Sequence, residues 1–347
     1  MKRSLALSFL PLLLLQSGFG RPHSRQVRTL QQGKSSIIFT SFASIGKRLV
    51  AANSDGSIAL WNTATGQRVW QVALKKISNE ELTIPNLINL SLFSDGKTVA
   101  VSYWESRVVG NRLLKGEQNH IALLDAESGR LKKDFVTDKA LEHAIEFSPN
   151  GRLVASAGAD KQVRLWNIET GKQTSSIDTI ERPILAVFSP DERLVAIATE
   201  ASTRNTPLEP IGIYDVASGT LVRTIPRPRR NVAILEFSPD SGSVAIVTGD
   251  GSGAQIDLWD LSGNQPKRTL RDHEAGITAL TFSRDGRLIA SGDLHNGRGT
   301  VIVRDVATNA QRRVQKFSAG VSDLSFSADN SVLAVGTENG QIVLVAP

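Results

Sequence analysis

The chain has 347 residues, of which 40% are hydrophobic and 21% are charged, and its 40 Lys and Arg against 34 Asp and Glu give a formal net charge of +6. This balance is that of a soluble globular protein and excludes wholesale disorder, a collagen-like chain and a multi-span membrane protein. The absence of cysteine excludes a disulfide framework, a thiol nucleophile and a thiolate metal site.

Residues 1–20 have the pattern of a secretory signal peptide. A short basic start precedes an apolar run, Leu5 to Leu15, that is too short to cross a bilayer comfortably. Small residues follow, with Gly18 and Gly20 at the positions that a signal peptidase reads. The alternatives are an uncleaved anchor or a buried first helix. We expect cleavage, which leaves residues 21–347 as one domain, without a membrane span, in an extracytoplasmic (periplasmic or secreted) compartment.

One phrase recurs seven times along the rest of the chain. It consists of an apolar pair, then Phe-Ser-x-Asp-Gly or a close variant, then a run of small and β-branched residues. The copies centre on phenylalanines spaced 41–54 residues apart, which are Phe42, Phe93, Phe147, Phe188, Phe237, Phe282 and Phe326. Such regular spacing indicates a repeated structural unit.

The second half of each unit is an alternating apolar run that ends in an aromatic–acid pair or a variant of it. Examples are the runs that end at Asn62, Asn167 and Asp260. A tight turn and another short run follow, so each unit predicts four strands. One four-stranded sheet cannot bury both of its faces alone, and we therefore expect the units to pack against one another around a ring.

Three pairs resemble the dipeptide that names the WD-repeat β-propellers: Trp61-Asn62, Trp166-Asn167 and Trp259-Asp260. The resemblance covers about residues 25–347 and implies an all-β fold, a seven-bladed propeller of four-stranded antiparallel blades. In this family a blade often holds a network of His, Ser or Thr, Asp and Trp, but no unit here has all four. The residues that the resemblance makes structural are Trp61, Asp160, Trp166, Trp259 and Asp260.

The two ends of the chain are predicted to share the seventh blade. The last unit stops after its third strand, whereas Val27–Leu30 matches the fourth strands at Val222–Ile225 and Lys267–Leu270. The segment Arg25–Gln31 is therefore predicted to supply the missing strand. This pairing would remove an exposed sheet edge and close the ring.

Four units carry insertions in the same connection, between their second and third strands. The long ones are Tyr103–Asn119 and Thr199–Pro210, and the short ones are Thr248–Gln255 and Gly292–Gly299. In a propeller this connection lies on one rim, and insertions on one face often mark a binding face. Tolerated variation in loop length is the alternative.

Aromatic and arginine side chains in or near these insertions are candidates for partner binding. Aromatic residues dominate binding hot spots, and arginine suits carboxylate or phosphate groups. The aromatic pair could instead pack the long hairpin onto the ring, and the arginines could be solvated strand ends. The candidates are Tyr103, Trp104, Arg107, Arg112, Arg204, Arg227, Arg229 and Arg230.

Motifs for chemistry are absent from the sequence. It contains no P-loop, no dinucleotide fingerprint within a βαβ unit, no G-x-S-x-G elbow and no H-E-x-x-H helix. We predict a non-catalytic platform for a protein or peptide partner, monomeric by itself, with no nucleic acid, cofactor, metal or catalytic residue. The alternative is an enzyme whose acid and base residues gather at the mouth of the central channel.

Overall fold

The computed structural model of the protein describes residues 28–44, 46–74, 83–109, 112–137, 142–200, 209–226, 231–250, 253–263 and 265–347. The predicted signal peptide lies outside these residues and stays a prediction. The described residues form 28 β-strands in seven four-stranded antiparallel sheets. This arrangement confirms the predicted all-β, seven-bladed propeller.

The blades are numbered along the chain, and each contains four strands in sequence order except the last. Blade 1 contains β2 (Ile37–Phe42), β3 (Arg48–Asn53), β4 (Ser57–Asn62) and β5 (Gln67–Ala73). Blade 2 contains β6 (Thr83–Leu92), β7 (Thr98–Val109), β8 (Arg112–Asp125) and β9 (Leu131–Val136). Blade 3 contains β10 (Glu142–Phe147), β11 (Leu153–Gly158), β12 (Gln162–Asn167) and β13 (Lys172–Asp178).

The remaining blades follow the same plan. Blade 4 contains β14 (Pro183–Phe188), β15 (Leu194–Thr199), β16 (Ile211–Asp215) and β17 (Leu221–Ile225). Blade 5 contains β18 (Asn231–Phe237), β19 (Ser243–Asp250), β20 (Gly253–Asp260) and β21 (Pro266–Leu270). Blade 6 contains β22 (Ile277–Phe282), β23 (Leu288–Asp293), β24 (Gly299–Asp305) and β25 (Gln311–Phe317). Blade 7 contains β26 (Val321–Phe326), β27 (Leu333–Thr337), β28 (Gln341–Val345) and β1 (Arg28–Gln31).

The first strands of neighbouring blades lie against each other, so they surround the central axis. The core is divided among the junctions between blades, which we call seams. Seven hydrophobic clusters occupy the seven seams, one at each. Since each sheet buries both faces against its neighbours, stability depends on an uninterrupted ring.

The Phe-Ser-x-Asp-Gly phrase forms the turn between the first and second strands. In blades 3 to 7 the serine hydroxyl donates to the side-chain oxygen two residues on, at 2.5–3.1 Å. The same serine oxygen accepts the backbone N–H five residues on, at 2.8–3.0 Å. These bonds satisfy the polar groups of a tight turn, which explains why Ser and Asp recur at this spacing.

A donor on the fourth strand links six blades to the next blade. It reaches backbone carbonyls that lie within three residues after the third strand of that neighbour. Arg28 Nη1 donates to Ala64 O at 2.6 Å, and Arg268 Nη1 donates to Val306 O at 2.6 Å. The other four contacts are Trp70 to Ala126, Lys133 to Ile168, Arg223 to Gly263 and Arg313 to Ala346.

The predicted closure of the ring is confirmed. Strand β1 pairs antiparallel with β28, from Arg28 opposite Leu344 to Gln31 opposite Gln341. Because these strands come from opposite ends of the sequence, no hairpin turn joins them as it does in the other blades. A cavity of about 680 Å³, lined by Arg28 and Ala346 among others, lies at that position.

Candidate functional site

The second blade projects well beyond the ring. Strands β7 and β8 have 12 and 14 residues, whereas the corresponding strands of blade 3 have 6 each. Strand β6 pairs along the extension, from Thr83 opposite Arg107 to Leu87 opposite Tyr103. At about 3.3 Å per residue the extension reaches roughly 20 Å past the end of an ordinary blade. The predicted long insertion is therefore a three-stranded projection.

Tyr103 packs inside this blade. Its side chain is fully buried in the cluster between blades 1 and 2, and its ring stacks on that of His120 with centroids 5.0 Å apart. His120 Nδ1 lies 3.4 Å from Asp134 Oδ2. Of the two roles open to Tyr103, the structure places it in the packing role.

Trp104 lies on the opposite face of β7 and is half-buried, between Asn86 on β6 and Asn119 on β8. Further along the projection, Arg107 stands opposite Leu114 and Arg112 stands opposite Val109. The backbone thus brings three candidates onto one hairpin, and their role in binding stays a prediction. The other candidates, Arg204, Arg227, Arg229 and Arg230, lie outside the described residues.

The repeat tryptophans are structural but have different partners. Trp166 Nε1 donates to Ser156 Oγ at 2.8 Å, as the family network implies. Trp61 Nε1 donates to Gln32 Oε1 at 3.0 Å, a partner that the sequence reading missed. Trp259 Nε1 is buried without a hydrogen-bond partner among the described residues.

The two repeat aspartates act locally. Asp160 is bound by the Arg164 guanidinium, which lowers the pKa of the carboxyl, and the tryptophan of its blade donates to Ser156 instead. Asp260 Oδ1 accepts the N–H of Ser262 at 2.8 Å and its hydroxyl at 2.6 Å. Asp260 therefore caps the turn that follows it, and Asp160 belongs to an ion pair rather than to the expected network.

Blade 6 contains a Ser–His–Asp arrangement. His273 Nδ1 lies 2.7 Å from Asp293 Oδ2, and His273 Nε2 lies 2.7 Å from Ser291 Oγ. All three residues are buried, and Asp293 Oδ1 also accepts the N–H of Thr300 at 2.6 Å. A nucleophilic serine needs an exposed oxygen and nearby oxyanion donors. The burial of Ser291 favours a structural network that holds strands of this blade together.

Three carboxyl groups on first strands, which we call the channel carboxyls, each accept a hydrogen bond from a neighbouring blade across a seam. Asp323 Oδ2 accepts from the Thr40 hydroxyl at 2.7 Å, and Glu236 Oε1 accepts the Phe282 N–H at 2.9 Å. Glu146 Oε2 accepts from Asn89 Nδ2 at 2.8 Å. These bonds satisfy groups that blades present toward the axis.

Burial raises the pKa of all three channel carboxyls. The pKa rises to about 7 for Glu146, about 8 for Glu236 and about 7 for Asp323. The charges of Asp323 and Glu146 raise the pKa of Glu236 further. Each acid lies in a first strand beside a buried apolar residue, a pattern that the sequence reading did not single out; these neighbours are Ile145, Leu235 and Leu324.

We expect the free energy of unfolding to fall as the pH rises from 5 to 9. Each raised pKa means that the folded protein holds a proton that the unfolded chain releases, so this stability is present below pH 4–5 and is lost through pH 7–8. For each group, the free energy of unfolding falls by about 1.4 kcal/mol per pH unit between the pKa of the unfolded chain and the pKa of the folded protein. Urea denaturation at pH 5, 7 and 9 measures it.

Glu236→Gln keeps the acceptor for Phe282 N–H, so it should flatten the pH dependence and stabilise the protein at pH 9. The matched control is Glu127→Gln, because the Glu127 side chain is 78% exposed. If the free energy of unfolding changed equally with pH in wild type and in Glu236→Gln, the pKa of Glu236 would not be raised by folding.

Within the described residues, no group of three or more His, Asp and Glu side chains could hold a metal ion. No helix in that same part of the chain is long and apolar enough to span a bilayer.

The family is decided by comparison with known proteins. The model of the family described as outer membrane protein assembly factor BamB matches residues 54–346. Curated WD-repeat proteins also match, and the fold has seven blades. The chain belongs to this propeller family and is a WD-repeat protein.

Individual WD-repeat relatives are distant. Transcription initiation factor TFIID subunit 5 of Caenorhabditis elegans is 25% identical over 203 residues, which is 58% of this chain and 29% of the relative. Apoptotic protease-activating factor 1 of Rattus norvegicus is 25% identical over 317 residues, 84% of this chain and 24% of the relative. WD repeat-containing protein SL1-17 of Schistosoma mansoni is 27% identical over 149 residues, 43% of this chain and 46% of the relative. The chain thus spans less than half the length of each.

Proposed function

We propose that this WD-repeat propeller is a non-catalytic platform that binds a protein or peptide through the rim that carries the blade 2 projection. The observation that carries the proposal is the three-stranded extension of β6, β7 and β8, which serves no purpose in closing the ring. A projecting hairpin on a rigid ring offers a partner both backbone edges and side chains.

The candidate contacts on the projection are Trp104, Arg107 and Arg112. Trp104 retains exposed surface, and half-buried aromatic residues are frequent anchors in interfaces. The arginines would suit acidic groups on the partner. The modest net charge of the chain argues against a nucleic acid as that partner.

We also propose an extracytoplasmic location for the mature chain, monomeric by itself. The signal-peptide pattern of residues 1–20 supports this location, as does the family description as an outer membrane protein assembly factor. The names of the relatives concern other processes, such as transcription initiation, and give no argument about location.

Shortening the blade 2 hairpin should abolish partner binding and leave the ring folded. Trp104 and Asn119 are paired, so Glu105–Gln118 can be replaced by an Asn-Gly turn that suits a two-residue hairpin. Affinity capture from the extracytoplasmic fraction should lose the partners that wild type retains. Trp104→Ala should weaken the same captures by about tenfold or more.

The matched control is Trp70→Ala. Trp70 is equally half-buried but lies toward the other rim, where its Nε1 donates to Ala126 O. Capture of the same partners by the shortened variant as by wild type would contradict the proposal.

The second candidate is an enzyme that uses the channel carboxyls. The raised pKa of Glu236 suits a general acid near neutral pH. Against this reading, each carboxyl already accepts a hydrogen bond across a seam. An activity lost in both Glu236→Gln and Glu146→Gln, with partner capture intact, would favour the enzyme.

A further inference from the structure

The rim opposite the projection carries the turns between first and second strands, and side chains at one turn position link neighbouring blades. Glu192 Oε1 accepts the Asn150 N–H of the preceding blade at 2.5 Å. Ser241 Oγ accepts the Asp191 N–H at 3.2 Å. Asn330, in the same position of blade 7, likewise accepts a backbone N–H from blade 6 at 2.7 Å. In blades 4, 5 and 7 the fourth residue of this turn therefore bridges the seam to the preceding blade, whereas blades 3 and 6 have glycine at this position.

The fourth position requires a left-handed backbone. Glu192, Ser241 and Asn330 have φ values of 60°, 59° and 58°, which cost strain for residues other than glycine. Blade 6 instead has Gly286, with φ 70°, which has no side chain to accept a hydrogen bond. Along the described turns of blades 3 to 7, the seam between blades 5 and 6 is the one without a turn-to-turn hydrogen bond.

A groove lies at this unlinked seam. Its volume is about 380 Å³, within the range of small-ligand and peptide subsites. The apolar lining comes from Pro239 and Leu258 of blade 5 and from Phe282 and Val306 of blade 6. A Cβ added to Gly286 would lie 3.7 Å from Pro239 Cδ, so a side chain at that position would stand at the groove.

The polar lining favours an anion. Lys267, Arg268 and Arg284 line the groove against two carboxyls, Asp240 and Asp285. In both carboxyls Oδ1 already accepts a serine hydroxyl and a backbone N–H of its own turn. Three cationic side chains against two carboxylates leave a formal charge of +1 at the groove.

The groove also offers a backbone donor. The N–H of Asp240 corresponds to the N–H groups of Asn150 and Asp191, which donate across their seams. It has no acceptor among the described residues, because Gly286 supplies none. A carboxylate held by this N–H and the Lys267 ammonium would replace the missing side-chain acceptor.

We propose that the groove between blades 5 and 6 binds a short peptide segment in which an apolar residue stands next to Asp or Glu. The apolar side chain packs between Pro239 and Val306. The carboxylate accepts from Asp240 N–H and Lys267. This site is separate from the projection on the other rim, so the two proposals stand or fall independently.

A random peptide library of about twelve residues, displayed on phage, is the probe that tests the groove. Selection on wild-type protein should enrich peptides with adjacent apolar and acidic residues, and a synthetic copy of the strongest should be measured by fluorescence anisotropy. Gly286→Asn should weaken its binding by about tenfold or more, because asparagine tolerates the left-handed backbone and takes the place of the carboxylate.

The matched control is Gly96→Asn. Gly96 holds the same turn position in blade 2, has φ 64°, and has no atom within 4 Å of an added Cβ. Wild-type affinity in this control, and in the variant with the shortened blade 2 hairpin, would support the groove. Failure to enrich any acidic motif, or equal binding to Gly286→Asn and wild type, would overturn it.

Discussion

A chain that begins at Gly33 should lose more than about 5 kcal/mol of its free energy of unfolding, which is a large share of the 5–15 kcal/mol typical of folded proteins. The deletion removes β1 and its pairing with β28. It also removes the buried Leu30 side chain, worth about 1.5–3 kcal/mol, and the Arg28 contact with blade 1. Gln32 is lost as well, so the buried Trp61 Nε1 loses its acceptor.

Thermal unfolding followed by circular dichroism measures this effect, with a chain that begins at Val27 as the matched control because it keeps β1. A synthetic peptide of residues 25–32, added to the chain that begins at Gly33, should raise its Tm again. The same peptide with Leu30→Lys should not, because position 30 is buried. An unchanged Tm in the shorter chain would refute closure by β1.

The fold could be predicted because each repeat contains the residues that form its own turns. The Ser and Asp of the recurring phrase form the turn bonds, and the final acid or amide of the third strand caps the next turn. The closing strand was recognisable because its arginine matches those of other fourth strands. Arg28 and Arg268 make the same contact with the next blade, so one physical role produced one sequence pattern.

Partners that depend on the ring could not be predicted in the same way. Trp61 pairs with Gln32, which reaches it only because the closing segment returns to blade 1. Asp293 pairs with His273 across 20 residues, from the end of a second strand. The first-strand acid Glu236 meets a partner of the next blade, 46 residues away. The Trp61 and Glu236 pairs each join two different repeats, whereas His273 lies in the connection that leads into the blade of Asp293.

The projection was predictable in its place along the chain more than in the roles of its residues. The insertion pattern indicated the projection of blade 2, because extra length between two strands must leave the ring. Alternation along β7 then places Tyr103 in the core and Trp104 on the other face. A shift of one residue would exchange these roles, and the aromatic pair in the sequence does not show which residue faces inward.

His273→Ala should destabilise the protein by about 3 kcal/mol or more. The substitution leaves Asp293 Oδ2 and Ser291 Oγ buried without their shared partner, and buried polar groups without hydrogen bonds are costly. It also leaves a cavity where the imidazole stood. Urea denaturation gives the change, and His295→Ala is the control because His295 is exposed on the hairpin of the same blade.

The same variant distinguishes a structural network from a catalytic triad. If the network is structural, a fluorophosphonate probe should leave Ser291 of the native protein unlabelled, since its hydroxyl is buried and a nucleophilic serine must be accessible. Ser291→Ala should then cost about 1–3 kcal/mol, less than His273→Ala, because it removes one hydrogen bond instead of two. Labelling of Ser291 in wild type, lost in His273→Ala, together with full stability of that variant, would instead assign the three residues to catalysis.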